Sequence, residues 1–429
     1  MERRMSISIG ILVIAALMVV LAAGSVSPAM AKGEPIKIGF IGALASPYGA
    51  SNKAVLEISV DEINAAGGIL GRPVKLITED WKRQVPLAVA AYKKLVMTDR
   101  CTLVFTEGTE GSTACAQVAS QLFPDYPHLQ FAIWTAHEGL TDPVANQYDK
   151  YKFLFRPYPN TADYFDDSAG FSEFLTDVIG AKKLALIIED VGYTEPLRKG
   201  LRGRHGTLQE YLKGKGINII YYAINAIDEK MFLPIFEKIA ASGADAIYWV
   251  TGYTDTVTLT KQWITSAAKD LNLVLNGGAV SYAAFYNMTG GAALGVAALW
   301  PEVQIPFTDK SLPFFKKLKA KKAGMLASTP GAYDGPWILK AGAEKAGTVE
   351  DVNALIKALE QVEVQHGFWK WKFDKRHEPV KGFPYHPMIF AQFREDGRYV
   401  VIFQEGIRKI ANPNDRYVPV VERRKRAGQ

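Results

Sequence analysis

The sequence predicts an α/β fold of two lobes, each a parallel sheet wound on both faces. Three observations carry that expectation. Residues 36–80 read as strand, helix and strand, the alternation restarts after Pro157, and 429 residues suffice for two such lobes. The first strand, 36–41, is a short apolar run closed by small and turn-forming residues at 42–49. Ser51 or Asn52 then offers a helix cap. Ala54, Val55, Ile58 and Ile63 recur at helical spacing, and Ala65, Ala66, Gly67 and Gly68 stop the helix. Residues 74–78 form the second strand. Such a unit takes a right-handed crossover in a parallel sheet, and ligands bind beyond the carboxyl ends of its strands. That edge holds residues 46–49, and Glu79, Asp80 and Trp81.

The remaining elements follow in order. A one-faced apolar helix at 86–97 leads to a strand at 101–105, a loop at 106–113 and a helix through 122. Strands at 130–134 and 151–156 follow, and Pro157 and Pro159 make a stiff connector. The second run predicts helices at 162–179, 196–213, 231–241 and 257–268. Its strands fall at 183–188, 217–223, 246–250, 271–275 and 295–299. Pro301 marks a return crossing. Helices at 313–322, 333–347 and 349–362 go back to the first lobe, before a strand at 368–374. A hairpin, 388–393 with 398–404, turns at Glu395, Asp396 and Gly397. The Pro-containing, then basic, residues 412–429 read as a flexible tail.

Composition excludes several classes of function. Hydrophobic residues make up 48% and charged residues 22%, as in globular proteins with extensive cores. The net charge of +6 is spread among interleaved acids and bases, which argues against nucleic acid. Arg3 and Arg4, the apolar run 7–23 and Ala29-Met30-Ala31 read as a signal peptide over 1–31. A membrane anchor is the competing reading, disfavoured by the cleavage pattern and by the marginal length of the run. The product is then periplasmic or extracellular. Cys101 and Cys115 are too far apart along a strand and its helix to bridge, and read as buried apolar residues. There is no G-x-G-x-x-G, no phosphate-binding G-x-x-x-x-G-K, no G-x-S-x-G and no H-E-x-x-H. Six scattered histidines lack ligand spacing. No catalytic residue, metal or cofactor is expected. Residues 316–322, rich in lysine, read as a solvated helix face.

The run Asp61-Glu62-Ile63-Asn64-Ala65-Ala66-Gly67-Gly68-Ile69-Leu70-Gly71, behind its small-residue loop, resembles the branched-chain amino acid (leucine/isoleucine/valine) binding proteins of ABC transporters. The resemblance spans about 36–404. It implies a type I periplasmic binding protein: two doubly wound parallel-sheet lobes joined by three hinge crossings. Lobe 1 would comprise 36–157 and 302–367, and lobe 2 would comprise 158–301 and 368–411. It implies a monomer that captures an amino acid, aromatic carboxylate or amide and delivers it to membrane permease subunits. An exported ligand sensor acting on a signalling partner is the alternative.

The resemblance also names a site. Gly111, Ser112 and Thr113, with Glu110 before them, and Trp134, Thr135 and Ala136 would hold a carboxylate from lobe 1. Ser112 and Thr113 have the alternative of capping their own helix. Tyr193 and Tyr253 would close from lobe 2. The family's acid for the ligand ammonium is missing, because residues 276–282 hold no Asp or Glu; Asp255, Asp190 or Glu110 could stand in. The family's disulfide here is absent, since no Cys lies near position 81. Trp134 replaces a small residue, and with Tyr48, Trp81, Tyr193, Tyr253 and Tyr282 it predicts an aromatic cleft suited to a ligand that is flat or aromatic or lacks the usual amino group; Trp81 has the equal alternative of packing on the lobe surface. Tyr333-Asp334 is expected to open a helix near the hinge side of the cleft, with ordinary helix capping by Asp334 as the equal alternative.

Overall fold

The computed structural model describes residues 33–201, 205–300, 303–325, 327–426 and 428. The expected signal peptide and the return at Pro301 lie outside the described residues. Strands β1 (Ile36–Gly42), β2 (Val74–Asp80), β3 (Leu103–Glu107), β4 (Leu129–Ile133) and β5 (Leu154–Phe155) form one sheet in the order β2-β1-β3-β4-β5. Every pairing in it is parallel. A second sheet takes β6 (Lys183–Glu189), β7 (Asn218–Asn225), β8 (Ala246–Val250), β9 (Asn272–Asn276) and β10 (Ala297–Leu299). Strands β11 (Val364–Gln365) and β12 (Lys370–Trp371) make a separate small ladder, and β13 (Phe390–Phe393) and β14 (Tyr399–Val401) extend the second sheet antiparallel. Its parallel part, β7-β6-β8-β9-β10, repeats the strand order of the first sheet. In both sheets the order reverses beside the first strand, which opens a crevice between β1 and β3 and another between β6 and β8. Strands β3, β4 and β8 are buried at every residue, as expected where helices cover both faces.

Local chemistry moves several boundaries. The first helix runs Pro47–Ala65 and is capped by Ser46, whose Oγ accepts the Gly49 N–H at 3.1 Å. Neither Ser51 nor Asn52 caps it: Pro47 at the first helical position favours the earlier start, so Tyr48 sits in the first turn. The helix expected at 162–179 is broken: extended Asp166 separates the short turns Thr161–Phe165 and Asp167–Ala169, and Gly170 at φ 82° separates these from the helical residues 171–178. The helix expected at 196–213 divides into Glu195–Lys199 and Leu208–Gly214, with Gly200 at φ 90° between them. Asp334 lies inside the helix Thr329–Ala346 and does not open it. Its carboxylate is buried and accepts the Gly367 N–H at 2.8 Å and Trp371 Nε1–H at 2.7 Å.

Phe368, Trp371 and Phe373 belong to the same buried cluster as the first sheet, a cluster that also takes in Ile389, Ala391, Val401 and Ile407 from later in the chain. Residues 412–426 are docked and do not fray. Val420 is fully buried, Arg423 pairs with both oxygens of Glu395 at 2.7 and 2.8 Å, and Arg424 lies 4.6 Å over the Trp263 ring.

Two of the passages between the sheets meet in one buried ionic cluster. Arg156, fully buried, pairs with Glu378 and donates to Thr135 O and Thr141 Oγ1, each at 3.3 Å. Asn160 Nδ2 donates to Glu378 at 2.8 Å, Lys381 pairs with Asp163, and Arg376 pairs with Asp142. Burial alone would raise the Glu378 pKa, but the charges of Arg156 and Lys381 hold it at about 2.

Candidate functional site

Each crevice is spanned by a buried glutamate. At the end of β3, Glu107 accepts the Ala43 N–H at 2.7 Å from the loop after β1, and the Asn52 amide at 3.0 Å. Burial raises its pKa in spite of these donors. At the end of β6, Glu189 accepts the Tyr253 and Thr254 N–H groups, each at 3.0 Å. It also takes the hydroxyls of Thr254 and Tyr193, each at 2.9 Å. The Tyr193 phenol is pushed well above its usual pKa, first by burial and then by the Glu189 charge. These bonds fix the loops that carry the aromatic walls.

Trp134 follows β4 at φ 57°, a left-handed conformation that costs a non-glycine residue about 1–2 kcal/mol. Its carbonyl accepts the Gly108 N–H at 3.1 Å, and its ring lies 4.5 Å from Tyr48 and 6.2 Å from Tyr158. Trp300, after β10, repeats the feature at φ 51°. Trp81 is buried over the start of the helix Thr109–Leu122; a Cβ on Gly108 would meet its ring at 2.8 Å, and one on Gly111 at 3.1 Å. Those glycines leave room for the indole. From the loop after β2, Arg83 reaches across to lobe 2, with its guanidinium 5.2 Å from the Tyr253 ring centroid.

Two adjoining cavities share Trp134 and Tyr253. The outer one, of about 260 Å³, is lined by Tyr48, Trp81, Arg83, Glu107 and Glu110 as well. The inner one, of about 80 Å³, adds Ala136, Tyr158, Asn160, Tyr164, Tyr193, Asn276, Ser281 and Trp300. Among the described residues no charged side chain lines the inner cavity.

Of the ten residues expected at the site, Tyr48, Glu110, Trp134, Ala136, Tyr193 and Tyr253 line these cavities. Gly111 lies beneath Trp81. Ser112 and Thr135 are fully buried behind the wall, where Thr135 Oγ1 donates to Ser112 Oγ at 2.9 Å. Thr113 donates to Thr109 O at 2.7 Å and faces a different groove. Because the helix is capped by Gly108, neither Ser112 nor Thr113 serves as its cap. Asp190 pairs with Arg198, and Asp255 caps its helix and pairs with Lys230; neither lines a cavity. Sequence reasoning missed Arg83, Glu107, Glu189, Tyr158, Tyr164 and Trp300. A Trp directly after a buried apolar strand was the available signal for Trp300. Among the described residues no acid, His and Cys cluster could hold a metal, and no helix is long and apolar enough to cross a membrane.

Comparison with known proteins agrees with this geometry. A family model described as periplasmic binding protein matches residues 35–398. The Leu/Ile/Val-binding protein of Escherichia coli (strain K12) is 23% identical over 361 residues, covering 83% of this chain and 91% of that protein. Solved structures share the fold. A branched-chain amino acid ABC transporter structure from Silicibacter pomeroyi matches with a TM-score of 0.76 at 20% identity, over 90% of this chain and 100% of that one. A solute binding protein from R. palustris in complex with 4-hydroxybenzoate matches with a TM-score of 0.66 at 17% identity, over 86% and 95%. With two lobes of like topology, strand ends facing across a cleft, and a family model spanning most of its length, the chain belongs to the periplasmic binding protein family.

Proposed function

We propose that this protein is the extracytoplasmic solute-binding component of an ABC importer, holding an amino acid or related small carboxylate or amide between its lobes for a membrane permease. The observation that carries the reading is the pair Trp134 and Tyr253. These rings come from opposite lobes and bound both cavities. An occupant of either cavity touches both lobes, and such differential contact is what favours a closed arrangement. The aromatic lining supports a ligand with a flat apolar body, as does the 4-hydroxybenzoate complex of a structural neighbour. Calorimetric titration with leucine, benzoate-type acids and short amides, paired with solution scattering, tests it. One class should bind and compact the molecule. Unchanged scattering across a broad metabolite panel, or steady turnover of a bound compound, would overturn it.

A further inference from the structure

The outer cavity differs in kind from the inner one. It holds a cation, Arg83, and two acids, Glu107 and Glu110, among the rings of Tyr48, Trp81, Trp134 and Tyr253. Glu107 is committed to Ala43 and Asn52. Glu110 is exposed in the first helical turn and lines both this chamber and the neighbouring groove, where its Oε1 would lie 3.5 Å from a Cβ on Gly192 of the opposite lobe. Arg83 is exposed and has no carboxylate partner among the described residues, only the Tyr253 face. One free charge of each sign therefore faces a chamber whose aromatic walls also favour cations. The adjoining chamber is uncharged and aromatic.

Resting on the reading above, we infer that the ligand is an α-amino acid with a planar apolar side chain. Its head group lies in the outer chamber, the ammonium on Glu110 and the carboxylate on Arg83. The side chain fills the inner chamber. Recognition of the amino group thus comes from lobe 1; residues 276–282 of lobe 2 hold no Asp or Glu.

The test is calorimetry with phenylalanine, 3-phenylpropanoate and 2-phenylethylamine on the full chain and on Glu110→Gln and Arg83→Gln. Both side chains are exposed, so the variants should melt like the parent. The parent should prefer phenylalanine over each single-charge analogue by about tenfold or more, as charged hydrogen bonds allow. Glu110→Gln should erase the preference over 3-phenylpropanoate, and Arg83→Gln the preference over 2-phenylethylamine. Equal binding of phenylalanine and 3-phenylpropanoate by the parent, or a preference untouched in Glu110→Gln, would overturn the inference. Binding and compaction by another solute class alone would also overturn it while leaving the importer reading intact. Compaction by no solute at all would remove both.

Discussion

The cluster at the crossings and the mouth of the cleft treat charge in opposite ways. At the crossings Arg156, Lys381 and Arg376 each meet a carboxylate, and Arg156 and Glu378 are almost completely withdrawn from water. At the mouth Arg83 meets only an aromatic face, and Tyr253 is 38% exposed. Groups at the crossings have their partners within the chain, so they fix geometry. Groups at the mouth keep bonding capacity for something that arrives. Variants at the crossings should therefore alter stability and leave ligand preference alone, and variants at the mouth should do the reverse.

The largest expected effect is at Glu378. Glu378→Leu leaves Arg156 buried without its counter-charge, at a cost of about 3–5 kcal/mol in denaturant unfolding. A loss below about 1 kcal/mol would break the contrast. A pH series sharpens it. Glu378 titrates at about 2 in the fold, below its unfolded value. Its contribution is therefore complete above the unfolded pKa of about 4.3 and lost as pH falls through the folded one. Acid destabilisation across that window should be shallower in Glu378→Gln than in the parent.

Next comes Glu189, which belongs to both regimes because it is buried and yet holds the Tyr253 loop. Glu189→Ala strands two backbone N–H groups and should cost about 2–3 kcal/mol, with weaker ligand binding as that loop loosens. Unchanged affinity would show that the loop is held by other contacts. Trp134→Gly removes a ring but relieves the left-handed strain. Its stability should stay within about 1 kcal/mol of the parent while solute affinity falls about tenfold or more. Smallest is Arg83→Gln, expected within about 0.5 kcal/mol in unfolding; a larger change would mean that Arg83 fixes structure.

Much of the architecture was legible in local pattern. Runs such as Leu103–Glu107 and Ala246–Val250 are buried on both faces, so they read as strands without tertiary information. Helix limits were less legible where a single residue decides them. Ser46 and Pro47 set the first start, and Gly170 and Gly200 split two helices that composition would run straight through. The lining of the candidate cavities was legible where a side chain follows its own strand, as with Trp134, Tyr193 and Tyr253. It was hidden where meaning depends on a distant partner. Arg83 looks like an ordinary loop base until Tyr253 is placed beneath it. Ser112 looks like a ligand hydroxyl until Thr135 claims it. The basic ending misled for the same reason, because Glu395 and Trp263 are far from it in the chain.

That ending has a practical bearing on how the protein is handled. The Gln392 amide exchanges two hydrogen bonds with the backbone of Val418, at 2.7 and 3.1 Å, and Arg394 donates to Arg416 O at 2.6 Å. A cloning boundary or protease cut near Asn412 would peel a girdle from the second lobe. It would uncover the Val420 socket and leave two interior side chains facing solvent where main-chain partners had been.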